Sequence, residues 1–470
     1  NSNNTTITNN IILNGSVGIL NEGSAKITHT SFDNNIISDY SWMGIRNNMA
    51  TPDHNVVITQ NIIRNTNTLK PSYGIASTNG TIITNNMIDG LTGTAGDAKE
   101  AGIYVSATAT PNDYTVITGN QITNLVNVNG IYAENTKIKV SKNLVNSNLT
   151  IASNKSLFNA TNTMGYAGNN WFNGGNITGL SVNNSASFYF IYNTVINSSA
   201  TYPTVYSSVN SGMIHRNLFQ NMGTGVATDY WGTMNCNDNN YFTSGASLIK
   251  YNGTTYTLAG FKAMGMDANG SNVNVLFEDA ALNNLKLKTY IPALLKSAPI
   301  AGFPEPMNTE IQSTDYEGNP RASYYVGADE IKLEIMIDRQ SQGIVDCIGG
   351  LDNNISVSAR MSYGAVPTYQ WEKDGVAIPG QTKEIMFFGA MKLSDNGVYR
   401  CLISGPGDTK AKYSEPVSVY VVTPTEITEE PKHNIIPLGE TAVFTFQAHV
   451  NGRKVEDALK LNEITIQWYK

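Results

Sequence analysis

The sequence is short of charge. Lys, Arg, Asp and Glu make up only 14% of its 470 residues, against roughly 25% in an average soluble domain. The charges sum to −7, with an isoelectric point near 5.3, and no basic surface of the kind nucleic-acid binders display is expected. No apolar run reaches the roughly 18 residues a membrane-spanning helix needs, so no spanning segment is expected. No signal peptide opens the chain, which begins NSNNTTITNN inside a repeat and stops at ITIQWYK inside another pattern. It reads as a fragment cut at both ends, so the missing signal says nothing about location.

In place of charge, the polarity comes from Asn, Thr, Ser and Gly. These suit β-structure with many tight turns and are poor material for long helices. The length exceeds one ordinary core, and several domains are expected.

A cassette recurs: TITNNIILN, VITQNIIRN, IITNNMIDG. Its Asn anchors are Asn10, Asn35, Asn61, Asn86, Asn120, Asn143, Asn170, Asn193, Asn217 and Asn240, spaced by 25, 26, 25, 34, 23, 27, 23, 24 and 23 residues. Two positions later come Ile12, Ile37, Ile63, Ile88, Ile122, Val145, Phe172, Val195, Phe219 and Phe242. Three positions earlier come Ile7, Phe32, Ile58, Ile83, Ile117, Val140, Ala167, Phe190 and Ile214, until Asn237 breaks the run. Gly-Ile pairs recur at Gly18-Ile19, Gly44-Ile45, Gly74-Ile75, Gly102-Ile103 and Gly130-Ile131.

Self-similarity at this period means a repeat architecture. Short β-branched segments between Asn and Gly turns leave no room for helical units, so each period predicts one coil of parallel strands in a solenoid. Equivalent residues then stack about 4.8 Å apart, ten anchors give a rod on the order of 50 Å, and the apolar columns fill the inside. The Asn column has two expected uses: a left-handed corner residue, and an amide ladder running up the stack.

The same alignment orders the outside. After the Gly-Ile pairs the outward column reads Leu20, Arg46, Ala76, Tyr104, Tyr132, and two positions on Glu22, Asn48, Thr78, Ser106, Glu134. Arg46, Tyr104, Tyr132 and Glu134 therefore share one face, with two rings suited to stacking on sugars. Nearby turns add Tyr40, Trp42, Lys70, Tyr73, Asp97, Lys99 and Glu100. The 34-residue coil between Asn86 and Asn120 carries its extra residues in GLTGTAGDAKEAG and SATATPNDY, and loops that bulge from a regular scaffold are where function concentrates.

These repeats resemble the right-handed parallel β-helix superfamily, specifically the Asn-rich secreted bacterial type. The segment DYEGNPRASYYVGADEI, Asp315 to Ile331, is similar to the closing signature of many such proteins. The resemblance implies that it shields the last coil, with Arg321 and Asp315 paired there. It also implies binding of long polysaccharides along an outer face, and it includes lyases that use Ca²⁺ with a Lys or Arg base and hydrolases that use clustered Asp. The hydrolase set of Asn-Thr-Asp, Asp-Asp, Gly-His-Gly and Arg-Ile-Lys is absent, as is the Arg-x-x-Arg of pectate lyases. NCNDNN, Asn235 to Asn240, reads as turn chemistry, and no metal site is expected. The weak catalytic candidates are Lys99, Arg46 and Glu100. The substrate-binding candidates are Arg46, Tyr104, Tyr132, Glu134, Trp42 and Tyr40. No cofactor is expected for a binding protein; Ca²⁺ belongs only to a lyase.

After Ile331 the texture changes. PTYQWEKDG and LSDNGVYRC resemble an immunoglobulin-like sandwich, with Trp371 as its buried tryptophan and Tyr399, two before Cys401, as its tyrosine corner. The expected partner cysteine falls at Ala359. The resemblance allows a bridge from Cys347 to Cys401, worth roughly 3–4 kcal/mol; two isolated thiols are the other reading. Cys236 is expected to be a small buried hydrophobe. PTEITEEPKHN, Pro424 to Asn434, reads as a linker, after which LGETAVFTFQAHV and ITIQWYK repeat the plan with Trp468.

The expected fold is therefore all-β: a right-handed parallel β-helix of about ten coils over 1–331 (repeats 1–242, cap 243–331), an immunoglobulin-like domain over 332–423, and a truncated second one over 424–470. The expected function is an extracellular or bacterial cell-surface protein that binds polysaccharide or forms an adhesive stalk, the sandwich modules being spacers. Its rival is a polysaccharide lyase or glycoside hydrolase working in the same groove.

Overall fold

The computed structural model describes residues 4–23, 29–49, 56–65, 72–78, 80–93, 97–107, 113–147, 155–185, 187–209, 211–301, 308–322, 324–407, 409–423, 425–450, 453–454 and 466–467. Lys70 and Trp468 lie outside them. The chain forms two compact units, Asn1–Ile331 and Lys332–Lys470.

In the first unit each repeat folds into three short strands, and these stack into three parallel sheets. Among the described residues the first sheet runs from Asn4–Thr8 to Cys236–Asn237, with ten strands, and the second from Ile11–Leu13 to Asn240–Thr243, also ten. The third runs from Val17–Gly23 to Ile249–Tyr251, and Thr254–Tyr256 closes it antiparallel as an eleventh strand. Neighbours in each sheet are one repeat apart in sequence. This is a β-solenoid, consistent with a parallel β-helix.

The apolar columns are what drive it. Ile12, Ile37, Ile63, Ile88 and Ile122 lie in register on successive strands of the second sheet, and Ile19, Ile45, Ile75, Ile103 and Ile131 do so in the third. All belong to one core or pack against it. Burying a side chain of this size contributes roughly 1.5–3 kcal/mol, and repetition supplies the cooperativity that no single coil has. The glycine before each isoleucine is a packing requirement. A Cβ at Gly44 would lie 2.5 Å from the Ile63 side chain and 2.6 Å from the Gly74 carbonyl oxygen.

The Asn ladder forms. Asn61 Nδ2 donates to Asn86 Oδ1 at 2.9 Å, Asn86 to Asn120 at 3.0 Å, Asn120 to Asn143 at 2.9 Å, and so on to Asn217. Each Oδ1 also receives the preceding rung's backbone N–H. Two details depart from expectation. The last rung is Asn239, which accepts from Asn217 Nδ2 at 3.0 Å, and Asn240 is not part of the ladder. With the register moved by one, Cys236 lies opposite Ile214 and Tyr241 opposite Phe219, so the apolar columns continue unbroken and Asn237 and Phe242 leave them. Cys236 is buried, and burial pushes its thiol well up. The left-handed corner, moreover, is taken by the residue before each rung: Asn9, Asn34, Gln60, Asn85, Gly119, Lys142, Asn169, Tyr192, Arg216 and Asp238 all have φ between 50° and 70°. The rungs themselves face inward, most of them buried.

The ladder ends on Asp267, whose carboxylate accepts from Asn239 Nδ2 at 2.7 Å and from the Tyr241 hydroxyl at 2.5 Å. All rungs donate in the same direction, so the final acceptor needs no donor of its own, and a carboxylate fits. The open end of the core is closed by the helix Leu258–Ala263, capped by Thr257 Oγ1. It drives Phe261 between Tyr230 and Tyr251.

The Asp315–Ile331 segment lies elsewhere than expected. It runs back along the outside of the stack, across the first and second sheets, over the corner residues of several coils. Arg321 stacks on Tyr192 at 3.9 Å, donates to Asn169 Oδ1 at 2.9 Å, and pairs with Glu330 at 3.1 Å. Tyr316 stacks on Trp171 with centroids 3.9 Å apart. Asp315 does not pair with Arg321; it accepts from the Asn319 backbone at 2.8 Å and holds a turn.

In the second unit, Ile335–Gln340, Asp352–Met361 and Ile385–Ala390 make one antiparallel sheet. A second has the order Gly343–Ile348, Val417–Val422, Gly397–Ser404, Thr368–Lys373, Val376–Ala377. Trp371 is buried, and the Tyr399 hydroxyl donates to the Asp395 carbonyl at 2.8 Å. The Cys347–Cys401 bridge is not formed, and both thiols are free and buried. The strand Val417–Val422 lies between theirs, and the register sets them apart along it as well, Cys347 opposite Val421 and Cys401 beyond the Tyr399–Val417 pair. The two cysteines are therefore on the order of 20 Å apart, beyond the roughly 7 Å a disulfide reaches. Part of the expected linker is also structured: Glu426–Glu429 pairs antiparallel with Gln447–Val450.

Candidate functional site

The outward column of the third sheet is continuous. Leu20, Arg46, Ala76, Tyr104, Tyr132, Asn159, Ser181, Tyr206, Asp229 and Lys250 stand in register on ten successive strands. Ser106 and Glu134 are likewise paired in the next column.

Its aromatic centre is a row of three rings. Tyr104 and Tyr132 stack with centroids 5.8 Å apart and 24° between planes, and Tyr73 packs on Tyr104 at 5.5 Å. Tyr73 joins from the start of its strand, one coil before Tyr104. The residues of the long coil close over this row. Lys99 Nζ reaches Glu134 Oε1 at 2.6 Å, the same oxygen to which the Tyr104 hydroxyl donates at 2.5 Å. Tyr73 donates to Asp97 at 3.1 Å, and Asp97 caps its own turn by accepting from the Lys99 N–H at 2.9 Å. Tyr104, Tyr132, Glu134 and Lys99 are thus brought together as the repeat alignment implies.

These contacts set the protonation states. Hydrogen bonding to Glu134 holds the Lys99 ammonium above its ordinary range. Burial, then the bond to Glu134, pushes the Tyr104 phenol up to about 12, and burial raises Tyr132. Lys99 is half exposed, at 49% of its side chain, so its pair with Glu134 contributes to position more than to stability.

Four candidates stand apart. Arg46 pairs with Glu22 at 3.4 Å and lies over Trp42 at 5.1 Å, two strands from Tyr104. Trp42 is 40% exposed and fits a binding surface. Tyr40 does not: it is fully buried in the core, its hydroxyl has no partner among the described residues, and burial raises its pKa strongly. Its corner position turns the side chain inward. Glu100 is also buried, facing Lys155 at 3.9 Å and accepting from Ser72 Oγ at 3.1 Å. Lys99, Arg46 and Glu100 therefore do not form one catalytic group.

Lys155 is the residue that sequence reasoning missed. Its Nζ donates to the Asp97 carbonyl and pairs with Glu100, under the loop that presents Lys99. Burial lowers its pKa, with the two acids opposing. Its place just before the strand Ser156–Thr161, 55 positions after Glu100, gave no signal. Further along the face, Lys250 pairs with Asp229 at 3.1 Å and lies over Trp231 at 5.8 Å.

Among the described residues, one group of acids has ligand atoms close enough to hold an ion: Asp315, Glu317 and Asp329. It sits in the outer segment against the second sheet, and its members already meet Asn319 and Lys286. No described helix is long and apolar enough to cross a membrane.

No known family's sequence profile matches the chain, and no curated protein does. Solved structures with local likeness include tandem Ig repeats of Dlar, 15% identical over 19% of this chain and 49% of that one, with a TM-score of 0.17. Drosophila OTK extracellular domains 3–5 are 14% identical over 24% of this chain and 45% of theirs, at 0.18. Titin domain M7 is 20% identical over 20% of this chain and 98% of its own, at 0.17. The chain thus spans about half of the Dlar and OTK fragments. Scores this low carry no argument about this chain.

Proposed function

We propose that this chain is part of an extracellular or bacterial cell-surface protein whose solenoid binds a polysaccharide along the outward face of the third sheet. In this reading the solenoid is a right-handed parallel β-helix of the pectate-lyase-like, Asn-rich secreted type. The modules over 332–423 and from 424 onward are immunoglobulin-like spacers that hold the rod away from its anchor. The buried Trp371 and the Tyr399–Asp395 corner support that assignment.

The observation that carries the reading is the stacked row Tyr73, Tyr104, Tyr132, with Glu134 and Lys99 at its rim. Tyr104 is partly exposed, with Tyr73 and Tyr132 packed against it at 8% and 9% exposure. The accessible part of this file offers a platform for a sugar C–H face, and the charged rim offers hydrogen bonds to hydroxyls. Parallel stacking aligns such platforms along the rod, matching an extended ligand. A glycan array tests this. Wild type is expected to bind, and Tyr104→Ala with Tyr132→Ala to bind on the order of a hundredfold more weakly, at about tenfold per ring. Equal binding by the two proteins rejects the reading.

A polysaccharide lyase or hydrolase is the alternative, favoured by one observation: Lys99 and the Tyr104 hydroxyl converge on a single Glu134 oxygen. Against Lys99 as the base stands its raised pKa, which keeps it protonated where a base must be neutral. Unsaturated product from uronate polymers, lost in Lys99→Ala, would establish the lyase.

A further inference from the structure

The charges along this face are already matched in pairs. Arg46 meets Glu22, Lys99 meets Glu134, and Lys250 meets Asp229, while beneath the loop that presents Lys99 the buried Lys155 meets Glu100. The pairs recur from the second coil to the last, so pairing is a property of the whole face. The rings lie between them: Trp42 beside Arg46, Tyr104 and Tyr132 beside Lys99, Trp231 beside Lys250.

From this we infer that the face recognises a neutral, hydroxyl-rich glycan and rejects polymers of uronate. The inference rests on the glycan-binding reading and narrows its ligand class. A uronate chain brings one carboxylate per sugar. To meet it, Lys99 must leave Glu134, and a carboxylate only 14% exposed then faces the incoming anion without a counter-ion. The same exchange recurs at Asp229, also 14% exposed, and at a smaller cost at Glu22, 48% exposed. The chain's net charge of −7 adds long-range repulsion. A neutral sugar meets none of this. Its hydroxyls donate to the outward carboxylate oxygens while the ion pairs stay intact, and its C–H faces lie on the rings. The paired acids act against the wrong ligand as well as for the right one.

Isothermal titration of the whole chain with neutral hexasaccharides (gluco-, manno-, xylo- and N-acetylglucosamine series) and a galacturonate hexamer decides it. The expected result is binding of a neutral hexamer, with affinity constant within about twofold between roughly 50 and 500 mM salt, and no binding of galacturonate. Glu134→Gln, and separately the exposed Glu22→Gln, free a cation and are expected to raise galacturonate affinity at least roughly fivefold. Galacturonate binding by wild type, weakening steeply with salt, overturns this inference and leaves the glycan reading standing. Variants no better than wild type on galacturonate overturn it too. Silence towards every sugar overturns the glycan reading and the inference together.

Discussion

The left-handed corner before the Asn ladder is built in two ways along one rod. In the first five coils it is held by Asn9, Asn34, Asn85, Gly119 and Gln60; in the last four by Asn169, Tyr192, Arg216 and Asp238. The backbone is the same. Asn and Gly adopt it at little cost, whereas Tyr and Arg pay on the order of 1 kcal/mol or more. The later corners are instead fixed from outside. Arg321 lies on Tyr192, Arg216 donates to the Tyr192 hydroxyl at 2.7 Å and pairs with Asp238 at 3.2 Å, and Asn169 donates to the Ile311 carbonyl at 3.0 Å. A conformation encoded locally at one end is imposed by tertiary contact at the other, and the outer segment supplies that contact.

The sharpest way to break the comparison is Arg321→Ala. It leaves Glu330 buried without its cation and strips Tyr192 of its cover, so a loss of about 3–5 kcal/mol is expected in chemical denaturation, with the outer segment becoming protease-sensitive. A ladder substitution is next. Asn120→Ala removes the donor to Asn143 and the acceptor for Asn86, and about 1–3 kcal/mol should go, the same in either half of the rod. The corner itself separates the halves: Asn34→Gly should change stability by only a few tenths of a kcal/mol, whereas Arg216→Gly, though it relieves strain, should cost more than 1 kcal/mol. The smallest effect is on pH dependence. Burial pushes the Asp267 carboxyl up to about 6, so the folded chain binds that proton more tightly than the unfolded one. Its contribution is complete below the ordinary carboxylate range and is lost as pH rises through about 6. Melting temperature should fall across that window, and less so in Asp267→Asn.

Most of this architecture was legible because the repeat writes each contact many times. Ile12, Ile37 and Ile63 announce their column, and Tyr104 and Tyr132 fall on one face as soon as the cassettes are aligned. Errors came where the sequence is locally ambiguous or acts at long range. Asn239 and Asn240 are the same residue type side by side, and only the apolar columns discriminate: the correct choice puts Cys236 and Tyr241 inside. Tyr40 stands at a corner, where period-two alternation does not apply. The six-residue helix that buries Phe261 is too short to show periodicity. The burial of Glu100 on Lys155, and of Arg321 on Asn169 152 positions away, depends on contacts no local pattern carries.

The account turns on the register of the third sheet's outer face. Paired cysteines at Tyr104 and Tyr132, oxidised under mild conditions, test it most directly, since in-register neighbours lie within the span a disulfide bridges. Rapid cross-linking of this pair, with none between cysteines at Tyr104 and Ser181, is the result this structure requires. No cross-link at 104 and 132, or equal cross-linking of both pairs, would contradict it.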